Sequence, residues 1–178
     1  MNKTRVAVIT GASSGIGLEL SKYLSQRNYI VYGISRSKIH NKYVKSIQAD
    51  VTNYDQLTKV YQDIFDVEGH IDCLINNAGM GISGSIEQTS LESAKYIMDV
   101  NFMGVFYSTK AMVPFLRQSK KSKIINISSV AARLAIPFQA FYSSSKAAIN
   151  AFSESLRIEL SPFVSKYVEK ALIAAFEL

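Results

Sequence analysis

The chain is expected to fold as a doubly wound α/β domain built on a parallel sheet, and three features of the sequence carry that expectation. Apolar runs of strand length alternate with stretches of helical periodicity. The first run passes through a glycine-rich turn directly into a helix. Small polar turns follow later strands, at the ends where open α/β sheets bind their ligands.

The first element is Val6 to Ile9, a continuous apolar run of the kind found in strands covered on both faces. Ile16, Leu20, Tyr23 and Leu24 then fall at i, i+4, i+7 and i+8, an amphipathic stripe that can lie back on the sheet. Between them Thr10, Gly11, Ala12, Ser13, Ser14, Gly15, Ile16 and Gly17 spell TGxxxGxG. Gly11 permits the sharp turn, Gly15 lets a pyrophosphate approach the backbone, and Gly17 lets helix and strand pack closely. The unpaired N–H groups at the helix start then face the anion. A turn of this kind can also be purely structural, so the rest of the chain has to decide.

Tyr29 to Ser35 reads as a second strand, Ile47 to Asp50 as the end of a third, and Gln56 to Asp66 as a helix carrying Leu57, Val60, Tyr61, Ile64 and Phe65 on one face. Ile71 to Ile75 is the fourth strand and runs into Asn76-Asn77-Ala78-Gly79. Ser90 can cap a helix containing Ala94, Ile97 and Met98, and a longer helix is expected from about Asn101 to Leu116 with Pro114 kinking its end. Lys123 to Ile127 is the fifth strand, followed by Ser128, Ser129 and an irregular loop through Pro137. A helix over roughly 141–160 places Ala147, Ala151, Phe152, Leu156 and Leu160 mostly on one face. The βαβα alternation predicts right-handed crossovers in one domain, residues 1–162, with residues 163–178 as a helical tail of that domain.

Composition excludes several classes. With 178 residues, 48% hydrophobic and 19% charged, the chain is globular rather than disordered. Its net charge of +6 is concentrated partly in Arg117, Lys120, Lys121 and Lys123, a cluster without interleaved aromatics that reads as a solvated loop rather than a nucleic-acid surface. The sole cysteine, Cys73, can form no intrachain disulfide, which suits a reducing compartment. The N-terminal apolar run ends at Gly11, too short for a signal-peptide core, and no run is long enough to span a membrane. A soluble cytoplasmic protein is expected, with no membrane or nucleic-acid partner. His40 and His70 stand apart as surface residues, and no His, Cys and carboxylate spacing resembles a metal site.

Taken in order, these motifs resemble the short-chain dehydrogenase/reductase family over most of the chain. The match includes Thr10-Gly11-xxx-Gly15-Ile16-Gly17, Asp50-Val51, Asn76-Asn77-Ala78-Gly79, Asn101, Ser129 and Tyr142-Ser143-Ser144-Ser145-Lys146, with Ser129 thirteen residues before Tyr142. The resemblance implies a Rossmann-like sheet of order 3-2-1-4-5, a nicotinamide dinucleotide cofactor, and a small-molecule carbonyl or alcohol substrate. It implies that Lys146 also holds the nicotinamide ribose, that Ser129 hydrogen-bonds the substrate oxygen, and that Asn101 supports a water linking Lys146 to solvent. It further implies that Asp50, Val51, Ala78 and Gly79 join the cofactor site. The position of Asn76 and Asn77 after the fourth strand favours a wall of the adenine-ribose site over a simple turn. The GMGISGSIE segment from Gly79 to Glu87 resembles the branch acting on steroid- and retinoid-like carbonyls.

The chemistry can be argued beside the resemblance. Reducing a ketone needs a hydride donor, which the nicotinamide supplies, and an acid that protonates the forming alkoxide. An unperturbed tyrosine, with a pKa of about 10, needs a neighbouring cation to serve near neutrality. Tyr142 and Lys146 are i and i+4 on the expected helix, so they share a face. Such pairs are usually surface pairs, and Ser129 or Asn101 alone could be a helix or turn cap. Ser129 and the nucleotide turn together shift the reading to catalysis.

The end of the second strand reports on cofactor choice. A carboxylate there would bind the ribose 2′-OH of NAD(H), whereas an arginine accommodates a 2′-phosphate. The chain has Ser35-Arg36, with Ser13, Ser14 and Lys38 as further donors, so NADP(H) is preferred over NAD(H). A merely solvent-facing Arg36 is the alternative.

After Leu160 the family's sixth strand, Pro-Gly turn, substrate-covering segment and seventh strand are not recognisable. Val164, Val168, Ala171, Leu172, Ala175 and Phe176 trace a helical stripe instead. The expectation is a five-stranded sheet with the fifth strand at an edge, the tail helix packed nearby, and self-association through that edge as a route to a homo-oligomer. Two function classes follow: a carbonyl reductase with intact catalytic residues, or a dinucleotide-binding remnant that lacks the substrate-binding segment.

Overall fold

A computed structural model describes residues 4–119, 122–161 and, as backbone, 168–173. The first half of the chain forms β1 (Arg5–Thr10), α1 (Gly15–Ser25), β2 (Tyr29–Ser35), β3 (Lys45–Gln48), α2 (Tyr54–Glu68) and β4 (Cys73–Asn76). The second half forms α3 (Leu91–Met98), a π-helical turn (Asp99–Met103), α4 (Gly104–Leu116), β5 (Lys123–Ser129), a 3₁₀ turn (Val130–Ala132), α5 (Ala140–Leu160) and β6 (Val168–Ile173). The strands form one parallel sheet in the order 3-2-1-4-5-6. Strand order reverses between β1 and β4, and there a crevice opens beyond the strands' carboxyl ends.

Side chains along β1 alternate between two buried faces as strand geometry requires. Val6 and Val8 join one core with Leu57, Tyr61 and Ile64 of α2, Met112 and Leu116 of α4, and Leu156 of α5. Ala7 and Ile9 face the opposite core, against which Leu20 and Leu24 of α1 pack. Both faces are covered, so β1 has to be apolar throughout. Tyr23 departs from the expected stripe: it is exposed, and Arg27 stacks over its ring at 3.5 Å.

The local signals end the helices as the residue chemistry dictates. The side chain of Asn53 accepts from the backbone N–H of Gln56, and Gly69 closes α2 at φ 71°. Ser90 caps α3 by accepting from the N–H of Ser93. Pro114 lies inside α4, which ends two residues later at Leu116.

The tail requires a correction. Residues 168–173, expected to be helical, form β6, which pairs with β5 from Ile124 opposite Val168 to Ser129 opposite Ile173. They lie where the tail was expected to pack, but as a strand. Backbone pairing satisfies the donors and acceptors along the edge of β5, which a helix cannot do, and this outweighs the local helical spacing. β5 is therefore an interior strand rather than the exposed edge expected from sequence. Residues 163–167 and 174–178 of the expected tail lie outside the described residues, as do Lys120 and Lys121.

His70 also differs from expectation. It is part-buried, and its two ring nitrogens sit 2.8 Å from the carbonyl oxygen of Glu68 and 3.0 Å from that of Thr4, stitching the start of β1 to the end of α2. Among the described residues no helix is long and apolar enough to cross a membrane, and no group of three or more His, Cys, Asp or Glu could hold a metal.

Candidate functional site

The turn after β1 is shaped by close backbone approach. Gly11 has φ +67°, and a Cβ there would lie 2.7 Å from Cα of Ala78. A Cβ on Gly17 would lie 2.3 Å from the carbonyl oxygen of Gly11 and 2.5 Å from Nδ2 of Asn77. Only glycine fits at either position. The turn is tied to β2 through N–H groups of Gly11 and Ala12, which donate to the carbonyl of Ile34 at 2.8 and 3.3 Å. It is tied to β4 through Thr10, whose Oγ1 accepts from the N–H groups of Asn77 and Ala78 at 3.1 Å each. Asn77 returns the contact, with Nδ2 donating to the carbonyls of Thr10 at 3.1 Å and Gly11 at 3.0 Å.

This clamp holds open a cleft of about 400 Å³. Gly11, Ser13, Ser14 and Ile16 form its floor, Ser35 and Arg36 one end, Asp50 and Val51 a side, and Asn77, Ala78 and Gly79 the opposite wall. Thr10 and Gly17 are buried behind the lining and shape it, whereas Gly15 is exposed and is not part of the lining. Asn76 does not form the wall expected of it. It is buried, and its Nδ2 donates to Oγ1 of Thr109 at 3.1 Å and Oδ1 of Asn126 at 2.8 Å, joining β4 to α4 and β5. Lys38 is exposed and away from the cleft lining.

The residues fit a dinucleotide. Ser14 occupies the N-cap of α1 but makes no side-chain cap bond, and the first turn carries no acidic residue. The backbone N–H groups there are thus left for an anion, with the positive end of the helix dipole behind them. Gly15 has φ +51°, and a Cβ on it would meet only open space. Asp50 is partly engaged: its Oδ1 accepts from the N–H of Thr52 at 2.9 Å and the Thr52 hydroxyl at 2.8 Å.

A second crevice of about 690 Å³ adjoins the first and shares Ile16, Asn77, Gly79 and Met80 with it. Ser129, Tyr142 and Lys146 line it, together with Gln139 and the apolar Ile82, Val130, Ala131 and Ile136. β5 extends two residues beyond the expected Ile127, which puts Ser129 at the last strand position facing the crevice. Its Oγ accepts from the N–H of Ala131 at 3.1 Å, capping the 3₁₀ turn, and the hydroxyl proton is left to donate elsewhere.

Lys146 is buried at the crevice floor, where its Nζ donates to the carbonyl of Ile127 at 3.0 Å and sits 5.9 Å from the ring centre of Tyr142. Burial disfavours its charge and lowers its pKa to about 8. Ser128 Oγ donates to the Lys146 carbonyl at 3.3 Å, fixing this turn of α5 against β5.

Asn101 is fully buried behind Gly79 rather than in the crevice wall. Its Oδ1 accepts from the N–H of Met80 at 2.8 Å, and its Nδ2 donates to the Met80 carbonyl at 2.9 Å and Ser145 Oγ at 3.0 Å. Ser145 Oγ donates in turn to the carbonyl of Tyr142 at 2.7 Å. The helix expected to begin at Asn101 instead passes through the π turn, whose wider winding lets the side chain point inward. A Cβ on Gly79 would lie 3.3 Å from Asn101 Oδ1 and 3.4 Å from Lys146 Nζ, so both polar groups converge on this glycine.

Met80, Tyr96, Val100, Gln139 and Ser145 belong to the site but carried no sequence signal of their own. Met80 lay within the Gly79 to Glu87 segment and Ser145 within the Tyr142 to Lys146 motif, as one small residue among three serines.

A family model described as "short chain dehydrogenase" matches residues 5–166. The chain is 42% identical over 160 residues to a 3-ketodihydrosphingosine reductase of Bacteroides thetaiotaomicron, covering 89% of this chain and 60% of that protein. It is 40% identical over 163 residues to a probable short-chain type dehydrogenase/reductase of Helicobacter pylori, with the same coverage. Among solved structures, the ligand-free aldohexose dehydrogenase of Thermoplasma acidophilum superposes with a TM-score of 0.92 at 31% identity, covering 97% of this chain and 67% of that one. A short-chain dehydrogenase from Streptomyces avermitilis gives 0.88 at 28% identity, with 95% and 65% covered. The chain thus spans about 60% of the length of these curated relatives. It belongs to the short-chain dehydrogenase family.

Proposed function

We propose that the protein is an NADP(H)-dependent oxidoreductase that interconverts a carbonyl and an alcohol by hydride transfer, with Tyr142 as general acid and base. The observation that carries this reading is the continuity of the two crevices. A dinucleotide laid from the Arg36 end across the α1 N-terminus reaches Gly79, where Lys146, Ser129 and Tyr142 surround the second crevice. When bound, the cofactor supplies or accepts the hydride at the substrate carbon.

The chain's own residues do the rest. The Ser129 hydroxyl donates to the substrate oxygen and holds it toward Tyr142, which gives that oxygen its proton during reduction and takes it back during oxidation. Lys146 stabilises the phenolate left on Tyr142 and binds the nicotinamide ribose. Asn101 keeps the Met80 segment and α5 in register through its bonds to Met80 and Ser145.

Arg36 supports NADP(H) as the preferred form, since no carboxylate stands beside it at the end of β2 to engage a ribose 2′-OH or repel a 2′-phosphate. Met80, Ile82, Val130, Ala131 and Ile136 make much of the crevice apolar. That lining, with the relative named as a 3-ketodihydrosphingosine reductase, supports a ketone carried on an apolar skeleton as substrate. The single buried Cys73 suits a cytoplasmic protein. A second reading is cofactor binding without turnover.

Titration with NADPH followed by a carbonyl panel that includes a long-chain 3-keto amine tests both. Binding with turnover is expected; binding without turnover selects the second reading, and no binding refutes both.

A further inference from the structure

We propose that Tyr96 is a ligand for the cofactor's 2′-phosphate and acts as a pair with Arg36. The inference rests on the NADP(H) reading and names a residue on a different element from Arg36. Tyr96 lies on α3, and with Val100, four residues on, it lines the nucleotide cleft; the neighbouring pair Ile97 and Asn101 faces the interior. The α3 and π-turn segment thus offers one face to the core and the next to the cleft.

The Tyr96 hydroxyl accepts a hydrogen bond from Nη1 of Arg36 at 2.9 Å. A phenol oxygen engaged as acceptor still has its own proton to donate. Because Tyr96 lines the cleft at the Arg36 end, an anion there could accept both that proton and the remaining guanidinium N–H groups.

The surrounding charges leave this role open. Among the described residues Arg36 is the only cation lining the cleft and Asp50 the only carboxylate. One oxygen of Asp50 is bound by Thr52, and Asp99, the acidic group next to Tyr96 along the chain, pairs with Lys95 at 2.5 Å. Among the described residues Arg36 has no carboxylate partner. A cation held in place by a neutral hydroxyl is arranged for an external dianion, because the hydroxyl orients it without neutralising it. A phosphate monoester fits that demand, whereas a bare ribose hydroxyl gains little from a second donor.

Binding of 2′,5′-ADP, 5′-AMP, NADPH and NADH would be measured by calorimetry in the parent chain, Tyr96→Phe, Arg36→Ala and the double variant. The two adenosine nucleotides report on this end of the cleft whatever the nicotinamide half does. Tyr96→Phe is expected to weaken 2′,5′-ADP and NADPH by roughly 5- to 20-fold, with 5′-AMP and NADH changed by less than about twofold. The double variant should lose less than the product of the two single losses, since the groups act on one phosphate and on each other.

A parent that binds 2′,5′-ADP no better than 5′-AMP refutes the NADP(H) reading and this inference with it. If the preference is present and Arg36→Ala removes it while Tyr96→Phe changes nothing, Arg36 acts alone and only the Tyr96 inference fails. Equal weakening of all four ligands by Tyr96→Phe would make Tyr96 a wall of the adenosine site, which also overturns the proposal.

Discussion

Replacing Lys146 by methionine should change the pH dependence of folding in a direction fixed by its burial. The ammonium is lowered from 10.5 to about 8 because it is removed from water. Between those values the unfolded chain holds a proton on Lys146 that the folded chain has released, so stability rises with pH over that window. The penalty is fully present below pH 8 and disappears toward pH 10.5. A depression of this size corresponds to ~3 kcal/mol, of which roughly 2.5 kcal/mol is recovered between pH 7 and pH 10. Methionine has similar length and no charge, but it strands the Ile127 carbonyl, which accepts from Nζ at 3.0 Å in the parent. That loss costs ~1 to 3 kcal/mol and offsets much of the gain at pH 7, yet it does not depend on pH. The informative quantity is therefore the stability difference between parent and Lys146→Met as a function of pH, in which contributions of other titrating groups cancel. Urea unfolding of the cofactor-free proteins at pH 7, 8, 9 and 10 measures it. The parent should gain on the variant by about 2.5 kcal/mol over this range; a difference constant to within about 0.5 kcal/mol would refute the buried-charge argument.

Tyr142→Phe should lower turnover by ~10² to 10⁴-fold while the NADPH dissociation constant stays within about twofold, measured by steady-state kinetics and cofactor titration. Gly17→Ala places a methyl 2.3 Å from the Gly11 carbonyl, so it should displace α1. The expected result is at least ~2 kcal/mol of lost stability and at least ~10-fold weaker dinucleotide binding. Asn77→Ala removes both side-chain bonds across the clamp and should cost ~1 to 3 kcal/mol by denaturant unfolding, with cofactor affinity falling in parallel. In native-state hydrogen exchange, the amides of β5 should exchange more slowly than those of β3, because β6 covers the edge of β5. Equal rates would indicate that β6 is not persistently paired.

Much of this molecule could be read before any tertiary structure. The apolar run at Val6 to Ile9, the glycine spacing and the alternation of periodicities specified β1, the turn and the α/β class, because strand and helix periods and the steric needs of Gly11 and Gly17 are local; the order 3-2-1-4-5 followed from the family resemblance. Tyr142 and Lys146 could be paired for a similar reason: four residues on a helix put two side chains on one face whatever surrounds them. Asn77 was legible as part of the site but not as the clamp that holds Thr10 and Gly11, since its partners lie 66 and 67 residues away in sequence.

Other features were decided by contacts that no local pattern encodes. Residues 168–173 carry helical spacing, yet the backbone edge of β5 takes them as a strand. Asn76 sits next to Asn77 but points to the opposite side of the chain, where Thr109 and Asn126 bind it in the interior. Tyr96 and Arg36 are 60 residues apart and meet only because α3 packs at the mouth of the nucleotide cleft. The sequence by itself determined the periodic elements, the glycine turn and the shared helix face of Tyr142 and Lys146, all of which follow from neighbours within about two helical turns. Tertiary structure alone decided the sixth strand, the burial that lowers the Lys146 pKa, and the company Arg36 keeps, because each depends on backbone pairing or desolvation between distant segments.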